Sequence, residues 1–311
     1  MTKDNERRTA PEVVAARDRA PALATTRVKV WTGLGAVLLT GAALSLVPPH
    51  GAEAGALGKL VKPGAGGPAL VQIAAGGEGG EGGEGGEGGE GARSADLGTD
   101  DVAYLTQLGL MRGHLEVGMD LYRQGEHDAA LPHMKHPKME LYEPLEPALQ
   151  ARGAAAFEEP LEALAKAASD GAPVDQVEAA YQQALKGIAA AEAAVPDARR
   201  QDLATRFKVM VNLVRTAAAE YDAAVDDEGR VVQPVEYQDA LGFVRTAEAM
   251  LEAVPPDQRA RAAEAIAKAE AQFAAVAGLW PSLVPPPVIE TDPSQLFGAA
   301  AYIEIAGLHV Q

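Results

Sequence analysis

The sequence predicts an all-α fold: an extracytoplasmic helical bundle of eight or nine helices behind an N-terminal membrane segment and a disordered linker. Three observations carry this reading. Beyond residue 97, apolar residues recur every three or four positions, and no window keeps the period-two alternation of a half-buried strand. An uncharged run over residues 30–47 follows a basic stretch. Five tandem Gly-Gly-Glu units then fill residues 76–90, where glycine entropy and glutamate repulsion both oppose ordering.

Composition narrows the function classes. The 311 residues include 27 basic and 44 acidic side chains, a formal charge of −17, and no cysteine. Thiolate metal sites, disulfides and a cysteine nucleophile are therefore excluded. The acidity argues against a nucleic-acid partner, which would need clustered Lys and Arg facing phosphate.

Residues 1–29 are polar and carry Arg7, Arg8, Arg17, Arg19, Arg27 and Lys29. They read as a cytoplasmic basic region that orients the apolar run outward. Eighteen helical residues span about 27 Å, enough to reach across a hydrocarbon core. Ala52-Glu53-Ala54 fits a cleavage site at a suitable distance. A signal peptide cleaved after Ala54 and a retained inner-membrane anchor at 30–47 both satisfy the pattern. Residues 48–96 read as a flexible linker rich in Gly and Glu. Weak cation collection by Glu78, Glu81, Glu84, Glu87 and Glu90 is the lesser alternative.

The helical domain is expected over 97–311, with a sub-boundary near 196. Thr99 or Asp100 caps a first helix to about 124, with Gly125 as its stop and Leu105, Leu108, Leu115, Met119 and Tyr122 as its core stripe. A short helix over 128–134 follows. Pro137 suits the first position of another, running to 150 and ended by Gly153. Further helices fit 154–169, 174–195 and 196–225. An acidic glycine turn, Asp226 to Gly229, and an extended piece over 230–234 lead to helices at 235–254 and 258–279. The prolines at 281 and 285–287 make a crossover before a last helix at 293–308.

The chemistry concentrates in two places. Four of six histidines lie between His114 and His136, and four methionines between Met111 and Met139. Met111 and His114 share a helix face at a spacing of three. Gly118, one turn on, admits a close neighbour. His136 and Glu140 are four apart and converge if helical geometry runs through Pro137. A site of His114, His133, His136 and Glu140, with Met111, Met134 or Met139 nearby, suits iron or copper. Glu116 lies 200° round the helix from His114, on another face. Structural histidines, with methionines filling an irregular corner, explain the same residues, so both readings stay open. Gly118, Leu121, Gly125, Ala130 and Leu131 also match one tetratricopeptide-type hairpin, but no second copy appears at a 34-residue period.

The second place runs from Glu220-Tyr221 through the acidic turn and Val231-Val232 to Glu236-Tyr237. Two carboxylates and two phenols brought together would form an oxygen-rich set for ferric iron, the secondary metal candidate. Capping acids and a packed tyrosine pair are the simpler account.

The Glu-Tyr, acidic Gly turn, Val-Val, Glu-Tyr and Phe243 pattern resembles the extracytoplasmic helical segment that precedes the membrane domain in some bacterial iron permeases. The Arg-Glu-x-x-Glu hallmark of the permease is absent. The resemblance therefore implies a relative or partner of an inner-membrane metal permease, not the transporter. Gly113-His114 and His133-x-x-His136-Pro137 also resemble uncharacterised exported helical proteins of Gram-negative bacteria.

The expected function is thus an exported, periplasmic metal-handling protein, binding iron or copper as an accessory to uptake or storage. A membrane-tethered helical adaptor without metal is the alternative, and a hydrolase with an unrecognised site is the third. No organic cofactor is implied, and the nucleotide-binding and hydrolase motifs are missing.

Overall fold

The computed structural model describes residues 96–289 and 292–310. The expected N-terminal region, the segment at 30–47 and nearly all of the linker lie outside the described residues. Among the described residues the structure is helical, with two isolated β-bridges and no strand. No helix there is long and apolar enough to cross a membrane.

Helix α1 (Asp101–Arg123) starts where Asp100 accepts hydrogen bonds from the backbone N–H of Val102 and Ala103, at 2.9 and 3.0 Å. Such capping satisfies amides that the first turn leaves open. Gly125 closes the connection at φ 84°, a left-handed conformation that glycine adopts without a Cβ penalty. The expected stripe is buried, but so are Leu110, Val117 and Leu121 on other faces. Helix α1 is therefore central, touching α2, α5, α7 and α8.

Helix α2 (His127–His136) does not stop for Pro137. It runs through a π-helical turn (Pro137–Tyr142) into α3 (Glu143–Arg152), so the separate helix expected from Pro137 is continuous with its predecessor. Proline lacks the N–H for a regular helical bond, and widening by one residue accommodates that loss. The buried Gln107 side chain donates to the carbonyl of Leu141 within the turn, at 3.0 Å. Helices α4 (Glu158–Ser169) and α5 (Val174–Glu192) pair across Gly171 and cover one side of α1 and α2.

The helix expected at 196–225 splits into α6 (Asp197–Arg200) and α7 (Leu203–Ala224). Asp202 leaves helical geometry and caps the Thr205 N–H at 2.8 Å. Helix α8 (Pro234–Glu252) follows the acidic turn, in which Asp226 accepts from the N–H groups of Glu228 and Arg230. The helix expected at 258–279 breaks at Ala262 into α9 (Pro256–Arg261) and α10 (Ala263–Val276), with a 3₁₀ turn at Ala277–Leu279. Helix α11 (Ser294–Gly307) is last. The eight or nine helices expected thus become eleven among the described residues. Helices α7, α8, α10 and α11 pack as a four-helix bundle, and α1 lies against α7 and α8.

At the crossing of α1 and α8 two backbones meet. A Cβ on Gly242 would sit 2.8 Å from the Gly113 carbonyl carbon, and one on Gly113 would sit 2.9 Å from that of Gly242. Side-chain carbons do not tolerate such distances, so only glycine at both positions permits the approach. Gly113→Ala and Gly242→Ala are each expected to destabilise the fold by about 1–3 kcal/mol, as overpacked contacts do. Gly298→Ala is expected to act oppositely, raising stability by roughly 0.5–1 kcal/mol, because that helical glycine has open space beside it. Denaturant unfolding of the three variants measures both signs.

Candidate metal centre

The glycine crossing places its neighbours. His114 follows Gly113 on α1, and Asp239 lies one turn before Gly242 on α8. The His114 Nδ1 comes within 2.5 Å of Asp239 Oδ1. Gly118 does the same work for α2: a Cβ there would lie 3.1 Å from the Cβ of His133. The His133 Nδ1 reaches the same Asp239 Oδ1 at 2.7 Å. One ligand atom from each of His114, His133 and Asp239 falls within 4.8 Å of the others, and all three residues are buried.

Hydrogen-bond accounting gives the cluster a chemical demand. His133 faces oxygen acceptors with both ring nitrogens, because Gln238 Oε1 lies 2.9 Å from its Nε2. The Gln238 amide nitrogen donates to the Leu283 carbonyl at 3.2 Å, which fixes the amide orientation. Without a metal, His133 must carry both protons. Desolvation opposes that charge, but the Asp239 carboxylate outweighs it and raises the histidine pKa above its ordinary value. Burial pushes Asp239 toward the neutral form, and the charges of His114 and His133, with the hydrogen bond to His133, overcome this and hold it below the usual carboxylate range. His114 Nδ1 is buried yet lacks hydrogen-bond geometry to any partner, despite the short approach to Asp239. An imidazole nitrogen set against a carboxylate oxygen without hydrogen-bond alignment, and a nitrogen–oxygen pair held by a replaceable proton, fit a bound cation. His133 Nε2–H would then still donate to Gln238 Oε1, the outer hydrogen bond that orients a ligating imidazole.

More donors surround this core. His136 Nδ1 lies 3.9 Å from Asp239 Oδ2, its Nε2 lies 3.8 Å from Glu140 Oε1, and its ring meets His114 edge-on at 5.6 Å between centroids. Burial and the neighbouring histidine charges keep the His136 pKa low, against the pull of Glu140 and Asp239. Glu220 on α7 is pushed up to about 8 by burial, then by the charges of Asp239, Glu236 and Glu140. The side chains that meet within ligand distance are His114, His133 and Asp239, and Glu220 feels this centre through the charges of Asp239, Glu236 and Glu140.

The tyrosines of the Glu-Tyr pairs go elsewhere. Tyr221 and Tyr237 donate to the carbonyls of Leu279 and Ser282, at 2.9 and 3.1 Å, and pack with Trp280. Successive helical residues point about 100° apart, so a glutamate turned to the centre sends the next tyrosine away from it. Met111 and Met134 are buried in the core, Met134 against Gly118, and Met139 faces solvent. Glu116 lies on another face, as expected, near Arg245, Asp120 and Arg112. Asp239 and Gln238 are additions that the sequence reading lacked. The available signal was the Glu236-x-x-Asp239 spacing on a predicted helix, which places both carboxylates on one side.

The description "iron permease-associated 4-helix bundle domain" belongs to the protein family that matches residues 196–305. The match spans α6 to most of α11, and so the bundle that supplies Glu220, Glu236 and Asp239. The iron-permease likeness of the helical segment is thereby supported. No curated protein and no solved structure matches the chain.

Glu220 yields a pH dependence. Its carboxyl titrates near 4.5 when unperturbed and near 8 in the fold. Between these values the folded chain binds a proton that the unfolded chain has released. This residue's contribution is therefore fully favourable below pH 4.5 and declines as pH rises to 8, with a slope of at most about 1.4 kcal/mol per unit. Glu220→Gln is expected to gain stability over the native chain progressively across that range. Denaturant melts at pH 5 and pH 8 in the presence of chelator test the sign.

Proposed function

We propose that the protein binds iron as cargo through His114, His133 and Asp239, and serves as an extracytoplasmic accessory to an iron permease. The convergence of those three buried side chains carries the reading. Two imidazoles and one carboxylate are a donor set suited to ferrous iron with positions left for other ligands. The hard carboxylate oxygen of Asp239 within the convergent set favours iron over copper(I). The match of the adjoining bundle to an iron permease-associated domain supports the same direction.

In this reading the chain holds and passes on a metal and catalyses nothing. It acts outside the inner membrane, released by cleavage after Ala54 or held by residues 30–47. Residues 48–96 would then tether the helical domain near a permease in the same membrane. Ligand loading displaces protons from His133, so affinity should rise with pH.

Anaerobic titration of the purified full chain with Fe(II) tests the proposal. Native protein is expected to bind iron in competition with a chelator of micromolar affinity. His133→Ala and Asp239→Asn are each expected to weaken binding by at least about 10–100-fold, the scale seen even for partners of ligands. Equal affinity in native and variant chains, with unchanged helical circular dichroism, would place any binding elsewhere and overturn the assignment.

A further inference from the structure

Helix α11 is apolar on both sides. Leu296, Ala299, Ala300, Ile303 and Ala306 are buried, and the helix packs on α7 and α10. On its outer side Phe297, Tyr302, Ile305 and the C-cap Leu308 stand 47%, 61%, 51% and 73% exposed. We propose that this outer face joins two copies of the chain, with their α11 helices antiparallel about a two-fold axis at Ala301.

The spacing of the exposed residues makes the face self-complementary. Phe297, Ala301 and Ile305 follow at intervals of four, so they line one stripe, and Leu308 extends it. A small residue is thus flanked symmetrically by two large ones. An antiparallel copy centred on Ala301 sets Phe297 of one protomer against Ile305 of the other, and Leu308 against Ser294. Ala301 meets its own counterpart where the helices cross, so the smallest side chain sits at the closest approach. Such a two-fold contact uses the same patch on both copies and closes on itself.

Charge and area favour a second copy as the occupant. The chain carries a charge of −17, so two copies repel unless they meet through an uncharged surface. From 293 to 311 the only charged residue is Glu304, and Arg215 on α7 neutralises it at 2.5 Å. A lipid surface fits less well, because interfacial helices set Lys and Arg beside the apolar face and α11 has neither. Four of the nine large apolar side chains exposed among the described residues lie on this helix and its C-cap, so the face is a patch and not scatter. At about 200 Å² each when fully exposed, these four leave roughly 450 Å² of apolar surface on each copy. Two such faces, with Ser294, Ala301 and His309 beside them, reach the ~1,000 Å² at which a specific interface begins.

Because the chain has no cysteine, one introduced thiol reports the geometry. The full chain with Ala301→Cys is expected to form a disulfide-linked dimer on mild oxidation, whereas Glu159→Cys, exposed on α4, is not. Analytical ultracentrifugation of the native chain is expected to show a dimer at concentrations on the order of tens of micromolar. Ala301→Glu sets two carboxylates against each other across the axis. It is expected to raise the dissociation constant by about 100-fold or more, with unchanged helical circular dichroism. A monomeric native chain overturns the proposal, and so does a dimer that survives Ala301→Glu, since it then forms through another surface. A dimer lost in Ala301→Glu but not cross-linked by Ala301→Cys overturns the antiparallel axis. A native monomer that binds phosphatidylcholine vesicles, when Ala301→Glu does not, assigns the face to lipid instead. None of these readouts involves a metal, so the iron reading stands or falls separately.

Discussion

The contact between the backbones of Gly113 and Gly242 sets the geometry on which the centre depends. Helices whose crossing carries ordinary side chains lie some 8–10 Å apart. With Cβ atoms absent on both sides, α1 and α8 come closer, and residues beside the crossing reach one another with short side chains. His114 and Asp239 are those residues. Gly118 admits the backbone of α2 in the same way, and His133 then reaches the same aspartate oxygen. Three small residues thus fix the relative depth of three helices, and the donors converge as a consequence.

Electrostatics at this centre oppose folding as well as serve binding. Asp239 is stabilised by two histidines, but Glu220 is driven toward the neutral form by burial and by like charges. Protons occupy the centre in the cation-free chain, bridging His133 to Asp239 and neutralising Glu220. A cation bound as proposed would replace the proton at Asp239, so binding and stability would be linked through the same groups. The −17 charge of the chain adds a long-range attraction for cations and none for phosphate polymers.

Much of the fold was legible because helical periodicity and capping are local. Asp100, Gly125 and Gly153 mark boundaries that the structure keeps. Pro137 misled because proline reads equally as a first helical residue and as a π-turn residue, and only the donated bond from Gln107 to Leu141, 34 residues apart, favours the latter. His114, His133, His136 and Glu140 were recoverable from spacing, since all lie within three turns of two adjacent helices. Asp239 was not, because its partnership with His133 crosses 106 residues and is created by packing. The Glu-Tyr pairs divided for a local reason that spacing could have foretold: neighbours on a helix cannot face one centre.

The centre straddles two parts of the chain, and that division constrains how it works. The bundle covered by the family match contributes Glu220, Glu236 and Asp239, whereas the preceding helices contribute His114, His133 and His136. The bundle by itself would present oxygen donors alone, a weak and unselective arrangement for a transition metal. The histidine helices by themselves would lack the carboxylate that gathers two of their imidazoles. Under the proposed role, selectivity for iron over alkaline-earth cations would arise only where both parts are docked, and glycine contacts hold that docking in the cation-free chain. A preformed centre of this kind would bind a cation without the cost of assembling its two halves, and its partly exposed rim at His136 and Glu140 would leave a route for departure.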